Sequence, residues 1–164
     1  MSIGIKKLQE EHKFLKQKGI LATFGACAGP IKKDYLHWRG VIQGPKNTPY
    51  EGGTFLFEMK FNEKYPEKGS VIDVQMRTPT YHPNITCRNG HICVDYINDW
   101  NDNCTIVGIV SSIFQLLGGA ESSSNYNGVD IQKAKNFTSK YAGENQNISW
   151  DSCWDKGWNN NESI

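Results

Sequence analysis

The chain opens with a segment whose spacing predicts an amphipathic helix. One face of that helix collects four residues between charged neighbours: Ile5, Leu8, His12 and Leu15. These positions follow the period of an α-helix. Gly19 is placed to end it, because glycine readily adopts the left-handed conformation that follows many helices.

Four strand-like runs follow: Ile20–Cys27, Tyr35–Gln43, Thr54–Phe61 and Val71–Met76. The third alternates most clearly, because every second position holds a large apolar side chain: Phe55, Phe57, Met59 and Phe61. Turns between the runs are indicated by Gly29-Pro30, Gly44-Pro45 and Tyr65-Pro66. Since no helical stretch separates the runs, we expect an antiparallel meander.

The segment Arg77–Cys104 has little periodicity and predicts a long ordered loop. Thr105 is placed to cap a helix that Gly118-Gly119 ends, with a stripe formed by Ile106, Ile109, Val110, Ile113 and Leu117. A weaker helix is predicted over Val129–Tyr141. The predicted class is α+β, with an N-terminal helix, a four-stranded antiparallel meander, a long loop and C-terminal helices.

We assign one domain to residues 1–142 and a C-terminal extension to residues 143–164. Trp150, Trp154 and Trp158 in the extension are spaced by four, so they would line one face of a short helix. We expect this helix to pack on the domain, because indoles bury much apolar area. The alternative is a stripe that docks a partner.

Composition narrows the class of protein. The 164 residues carry a net charge of +1, which gives no electrostatic case for binding nucleic acid or a membrane. No apolar run approaches the ~20 residues that span a bilayer, and no apolar signal region is seen. The five cysteines lack a framework spacing, so we expect reduced thiols in a monomer of the cytoplasm or nucleus.

The most informative run lies in the predicted loop: Tyr81-His82-Pro83-Asn84-Ile85, four residues, then Gly90-His91-Ile92-Cys93-Val94. A thiol is both a good nucleophile and a good leaving group, so Cys93 can accept an acyl group and pass it on. Gly90 allows a tight, left-handed turn before the thiol. The Asn84 amide can donate to an oxyanion or fix the loop that holds one.

Two other interpretations of this run stay open from the residues alone. A single cysteine between aliphatic residues is usually a small buried core residue. A zinc site is the other, because four potential ligands lie close in sequence: His82, Cys87, His91 and Cys93. Zinc ligands usually come in closely spaced pairs, which this segment lacks, so we predict no metal.

The run resembles the active-site signature of the ubiquitin-conjugating enzymes, which carry a ubiquitin-type modifier as a thioester on one cysteine. Other landmarks resemble family positions in the same order: Gly29-Pro30, His37-Trp38, Gly44-Pro45, Pro49–Gly53, Tyr65-Pro66, Trp100 and Thr105-Ile106. The resemblance extends from Ile3 to Tyr141. It implies the conjugating-enzyme fold, with the predicted loop as its active-site loop.

The resemblance implies four catalytic residues. Cys93 would carry the thioester, and Asn84 would serve the attack of a lysine amine on it. Asp95 matches a frequent acidic position that could orient the lysine, or it only hydrogen-bonds the loop. Ser124 matches one wall of the catalytic groove, or it belongs to a solvated polar linker.

The resemblance also implies surfaces for partner proteins. The first helix, with Lys6, Lys7 and Lys13, matches the surface that meets the activating enzyme, although a charged helix face is more often merely solvated. Two loops match the surface that meets a ligase, and their candidate residues are Pro66, Glu67, Trp100 and Asn103. Many members carry an apolar or aromatic anchor where Glu67 stands, so we expect atypical ligase docking.

We therefore expect an enzyme that accepts ubiquitin or a ubiquitin-like modifier from an activating enzyme on Cys93. It would transfer the modifier to a substrate lysine or a ligase cysteine, and no organic cofactor is implied. One alternative is a non-catalytic ubiquitin-binding scaffold of the same fold, but such variants usually lack the cysteine. Another is a conjugating enzyme specific for a different modifier, such as SUMO or NEDD8.

Overall fold

In the computed structural model, four strands form one antiparallel sheet in the order in which they occur along the chain. The structure describes residues 1–86, 88–119 and 130–143. The strands are β1 (Ala26–Ile31), β2 (Asp34–Gln43), β3 (Thr54–Phe61) and β4 (Val71–Met76). Each strand pairs with the next, so the predicted meander is confirmed.

The first helix, α1 (Ile3–Lys18), is also confirmed. The Ser2 hydroxyl caps its start by accepting the Ile5 N–H at 3.1 Å. Gly19 ends it in the left-handed conformation with a φ of 57°. Leu8 and Leu15 are buried, so the predicted apolar face holds α1 against the domain.

The first predicted strand is wrong over most of its length. Ile20–Phe24 form a 3-10 helix that ends at the left-handed Gly25, and the strand begins only after that glycine. A 3-10 helix repeats every three residues, so Leu21 and Phe24 turn to the same side. Leu21 is buried, and the Phe24 ring lies 5.6 Å from the Phe114 ring. Packing against that ring favours the helical turn over a continuous strand.

The predicted turn at Gly29-Pro30 is wrong as well. Both residues lie within β1, and the chain reverses at Lys32 and Lys33, which have positive φ values of 48° and 66°. Because β1 is an edge strand, a proline that cannot donate a backbone hydrogen bond is tolerated there.

The segment Arg77–Cys104 is mainly irregular, as predicted, and contains one short helix, α2 (Asp95–Asn98). The next helix, α3 (Ile106–Gly118), is capped by the Thr105 hydroxyl, and all five residues of its predicted stripe are buried. The last described helix, α4 (Ile131–Phe137), continues into a π-helical turn, Thr138–Ala142. The α+β class is therefore confirmed.

Two predictions fall on residues outside the described part of the chain. One is the role of Ser124, and the other is the tryptophan-lined helix of the extension. The division into residues 1–142 and 143–164 stays a prediction. No helix within the described residues has the length and apolarity to cross a bilayer.

Candidate active site

Cys93 is an exposed thiol held by a small frame of backbone hydrogen bonds. Its own N–H donates to the Asn84 carbonyl at 2.8 Å, and the N–H of Ile92 donates to the Val74 carbonyl at 3.0 Å. Ile92 is fully buried and Val94 packs partly on the core, so both neighbours anchor the thiol. Cys27 and Cys104, in contrast, are buried.

Gly90 sets the approach of the chain to this thiol. Its φ of 74° lies in the left-handed region, which the sequence predicted. A Cβ at this position would lie 1.8 Å from the Met76 carbonyl oxygen. The Gly90 carbonyl accepts the Met76 N–H at 2.7 Å, so glycine is needed for the segment to pair with the end of β4.

His82 is a buried side chain that holds the segment around Asn84 in place. Its Nδ1 lies 3.0 Å from the Asn84 backbone nitrogen, and its Nε2 lies 3.0 Å from the Leu116 carbonyl oxygen. Because a backbone N–H can only donate and a carbonyl can only accept, the ring proton must be on Nε2. Burial lowers the pKa of His82 to about 4, against the smaller opposing effect of the Leu116 carbonyl, so the ring is neutral at pH 7.

These contacts also bear on the zinc interpretation. Both ring nitrogens of His82 are occupied, and Nδ1 of His91 lies 2.9 Å from an Asp73 carboxylate oxygen. Cys87 is outside the described residues. Among the residues that are described, no group of three His, Cys, Asp or Glu side chains could hold a metal ion.

Asn84 is exposed next to Cys93 and is tied to it twice. Its backbone carbonyl accepts the Cys93 N–H, and its side-chain Nδ2 donates to the Cys93 carbonyl at 3.2 Å. The structure therefore brings the two principal candidate residues together. In this arrangement one N–H of the Asn84 amide fixes the loop. The second N–H of the same amide belongs to an exposed side chain and can donate to another group.

Sequence reasoning missed Asn98, the last residue of α2. Its side-chain Nδ2 lies 3.7 Å from the Cys93 sulfur. Asp95 begins the same helix and is exposed, two residues after the thiol. The helical turn that starts just after Cys93 was not predicted. Without that turn, nothing in the sequence indicated that the side chain of Asn98 returns to the Cys93 sulfur.

Glu11 is a second residue that the sequence analysis missed. It accepts a short hydrogen bond from the Tyr65 hydroxyl, and it accepts the N–H of Ile106 at 3.1 Å. Burial raises the pKa of Glu11, while the Tyr65 bond, the Ile106 N–H and Lys7 act in the opposite direction. Glu11 therefore joins α1 to α3 and to the connection between β3 and β4. The signal was present, since Glu11 lies three residues after Leu8, on the buried side.

The candidate ligase surface rests on a buried tryptophan. Trp100 is only 3% exposed, and its indole N–H donates to the Pro66 carbonyl at 2.8 Å. Its ring lies 5.8 Å from the Tyr65 ring. Trp100 is thus a support beneath the surface rather than a side chain that a ligase would touch first. Glu67 and Asn103 are exposed, so the outermost groups of both loops are polar.

The three candidate lysines of α1 are all exposed: Lys6, Lys7 and Lys13. They project from the polar side of a helix whose opposite side is buried through Leu8 and Leu15. This position is accessible to a partner, and it is equally the position of a solvated helix face.

Comparisons with known sequences point to one family. A family model described as ubiquitin-conjugating enzyme matches residues 7–149. The chain is 33% identical over 134 residues to ubiquitin-conjugating enzyme E2 16 of Schizosaccharomyces pombe. That alignment covers 81% of this chain and 81% of the relative.

Comparisons with solved structures agree in fold. A candidate ubiquitin conjugating enzyme from Plasmodium yoelii aligns with a TM-score of 0.71 and 27% identity, over 87% of this chain and 97% of that one. The E2 domain of a Toxoplasma gondii ubiquitin conjugating enzyme aligns with a TM-score of 0.68 and 28% identity, over 84% of this chain and 98% of that one.

Proposed function

The chain belongs to the ubiquitin-conjugating enzyme family, and from this premise we propose that Cys93 accepts the C-terminus of ubiquitin, or of a ubiquitin-like modifier, from an activating enzyme. The thioester would then pass to a lysine amine of a substrate or to a ligase cysteine. The observation that carries this proposal is the exposed Cys93 thiol within the frame built by Asn84, Gly90 and Ile92.

Charging would be a thiol exchange. The Cys93 thiolate attacks the thioester carbonyl of the loaded activating enzyme, a new C–S bond forms, and the old C–S bond breaks. The thiolate of the activating enzyme leaves and takes up a proton. An exposed sulfur suits this step, because the incoming thioester carbonyl must come within bonding distance of it.

Discharge to lysine would reverse the role of the sulfur. The neutral amine attacks the thioester carbonyl, a C–N bond forms, and the C–S bond breaks with its electron pair on Cys93. The amine proton passes to solvent or to a base, and exposed Asp95 is our candidate for orienting the amine. Asn84 would assist by donating to the carbonyl oxygen as it gains negative charge, or by keeping the loop in place.

Partner surfaces follow from family membership in general terms, since the family works with a modifier, an activating enzyme and ligases. We propose that the exposed lysines of α1, Lys6, Lys7 and Lys13, meet the activating enzyme. We propose that Pro66, Glu67 and Asn103 face a ligase, with Trp100 holding the two loops together. Polar tips at Glu67 and Asn103 support docking that does not depend on an apolar anchor there.

A charging assay tests the proposal. The full chain is incubated with activating enzyme, ATP and a panel of modifiers, and a reductant-sensitive adduct is measured. Cys93→Ala should abolish the adduct, whereas the buried-thiol control Cys27→Ala should retain it. Cys93→Ser should give a more stable oxyester, because an alkoxide leaves less readily than a thiolate.

The panel also separates the alternatives. The modifier that charges the wild-type chain identifies the specificity, which the sequence leaves open between ubiquitin and relatives such as SUMO. A wild-type chain that binds a modifier but is charged by none would support the non-catalytic scaffold. An undiminished adduct in Cys93→Ala would show that another thiol is the acceptor.

A further inference from the structure

The side chain of Asn98 reaches the reacting atom of the candidate site. Its Nδ2 lies 3.7 Å from the sulfur of Cys93, within the longer range of hydrogen bonds to sulfur. Its backbone N–H donates to the Val94 carbonyl at 3.0 Å, so the turn of α2 returns this amide to the thiol five residues earlier. Asn98 and Cys93 are both exposed, so a carbonyl compound could approach the sulfur from the solvent side.

The two asparagines at the site contact different atoms of Cys93. Nδ2 of Asn84 donates to the Cys93 carbonyl oxygen at 3.2 Å, which fixes the backbone. Nδ2 of Asn98 points to the sulfur, which is the atom that changes charge in the reaction. An amide can serve both protonation states, because its N–H donates to a thiolate and its oxygen accepts from a thiol.

We propose that Asn98 is a catalytic residue that donates a hydrogen bond to the Cys93 sulfur whenever that sulfur is negatively charged. This occurs twice: when the thiolate attacks in charging, and when the C–S bond breaks and leaves its electron pair on sulfur in discharge. In discharge, charge develops on the sulfur as the C–S bond breaks, and a fixed neutral donor aimed at it lowers the barrier. In charging, the same donor stabilises the thiolate before it attacks. The inference rests on the proposed function for its meaning in catalysis, but not for the contact itself.

The direct test is the reactivity of Cys93 toward iodoacetamide, which alkylates the thiolate. The full chain is alkylated over a range of pH, and modification of the Cys93 peptide is followed by mass spectrometry. Asn98→Ala should slow alkylation near pH 7.5 by about threefold, the lower end of the effect of one hydrogen bond. Asn98→Asp should slow alkylation further, because it replaces the N–H donor with a negatively charged group in a side chain of the same size.

Two variants serve as controls. Asn136→Ala removes an exposed amide from α4, where the Asn136 oxygen accepts a hydrogen bond from the Gln132 side chain at 3.0 Å, and it should alkylate at the wild-type rate. Asn98→Gln keeps an amide and should recover part of the lost rate. Wild-type rates in both Asn98→Ala and Asn98→Asp would overturn the proposal. Asn98→Leu has nearly the size of asparagine and neither donor nor charge, so it should be as slow as Asn98→Ala. A wild-type rate in Asn98→Leu would overturn the proposal even if alanine disturbs α2.

This assay needs neither activating enzyme nor modifier, so it is independent of the proposed function. If alkylation slows as expected but Cys93→Ala still forms the adduct, the proposed function fails and the contact survives. If Cys93 carries the thioester but the Asn98 variants alkylate normally, the role of Asn98 fails alone. In charged protein, Asn98→Ala should slow discharge to free lysine by a similar few-fold, and an unchanged discharge rate would overturn the leaving-group role.

Discussion

Two exposed regions are supported in the same way but present different chemical groups to solvent. The first, here called the thiol segment, spans residues 82–93; the second, the loop pair, comprises residues 65–70 and 100–103. In each, a buried ring bonds the backbone of a loop: His82 bonds the N–H of Asn84, and Trp100 bonds the carbonyl of Pro66. The exposed ends differ, since one region presents a thiol and amides and the other presents Glu67 and Asn103.

In each region a buried ring holds the loop in place, while other residues of the loop meet solvent. His82 and Trp100 are 4% and 3% exposed, so neither offers much area to a partner. Their hydrogen bonds define the positions of groups that do meet solvent. Substitutions beneath the surface should therefore alter both regions through structure. Substitutions of exposed side chains should act on chemistry or binding, except at Asn84, whose amide also bonds the Cys93 carbonyl.

The largest effect should come from Asn84 in the thiol segment. If its amide stabilises the oxyanion of amine attack, Asn84→Ala should slow discharge to lysine by roughly a hundredfold to a thousandfold, the usual cost of one such donor. Charging should slow much less. Single-turnover rates of charging and of discharge to free lysine measure the two steps separately.

Asn84→Asp is the matched variant, because it keeps the size of the side chain and removes the N–H donor. Its discharge should also be slow. Equal slowing of charging and discharge in both variants would instead assign Asn84 to holding the loop, in line with its bond to the Cys93 carbonyl. The Asn98→Ala variant should show a much smaller and more even loss, which distinguishes the two amides.

Most of the fold could be predicted from the sequence, because period and turn chemistry act locally. The stripe of α3, the left-handed Gly19 and Gly90, and the last three strands follow directly from such patterns. Ile20–Phe24 could not be predicted, since its short apolar run fits a strand as well as a 3-10 helix, and the distant Phe114 decides between them.

The candidate site was predictable only in part. The motif identified Cys93 and Asn84 because their residue types and spacing are unusual. The contacts of Asn98 with the sulfur and of Glu11 with Tyr65 depend on where helices and loops meet in space. Trp100 was recognised as a landmark, but its burial, which changes its role, depends on the rings of Tyr65 and Tyr96 around it.

A smaller effect is expected at the exposed end of the loop pair. Glu67→Phe should strengthen binding to a ligase domain that uses an apolar anchor by ~1–2 kcal/mol, roughly a fivefold to thirtyfold decrease in Kd. Glu63→Phe, an exposed site on the same connection, is the control and should change Kd little. Strong binding of such domains by the wild-type chain would contradict the expected atypical docking.

The smallest effect concerns pH and the ring beneath the thiol segment. Burial holds the pKa of His82 at about 4, below the ordinary value near 6.5, so the folded protein resists the proton that the unfolded chain accepts. Stability is therefore lost as pH falls below about 6.5, and the loss continues to grow until about pH 4. Between pH 7 and pH 6 this one group should lower the free energy of unfolding by ~0.7 kcal/mol.

Urea unfolding at pH 7 and pH 6 measures this loss. His12 has a pKa lowered to about 4 as well, chiefly by burial and then by Lys16, so His12→Phe provides the background that removes its contribution. On that background His82→Gln should flatten the remaining pH dependence, because the glutamine amide can still donate to the Leu116 carbonyl without titrating.

Hydrogen exchange compares the two regions directly. Trp100 has no titrating group, so a fall in pH should reduce the hydrogen-exchange protection of the Asn84 backbone N–H more than that of the Trp100 indole N–H. Equal loss of protection at the two sites would show that both regions open only with the whole domain.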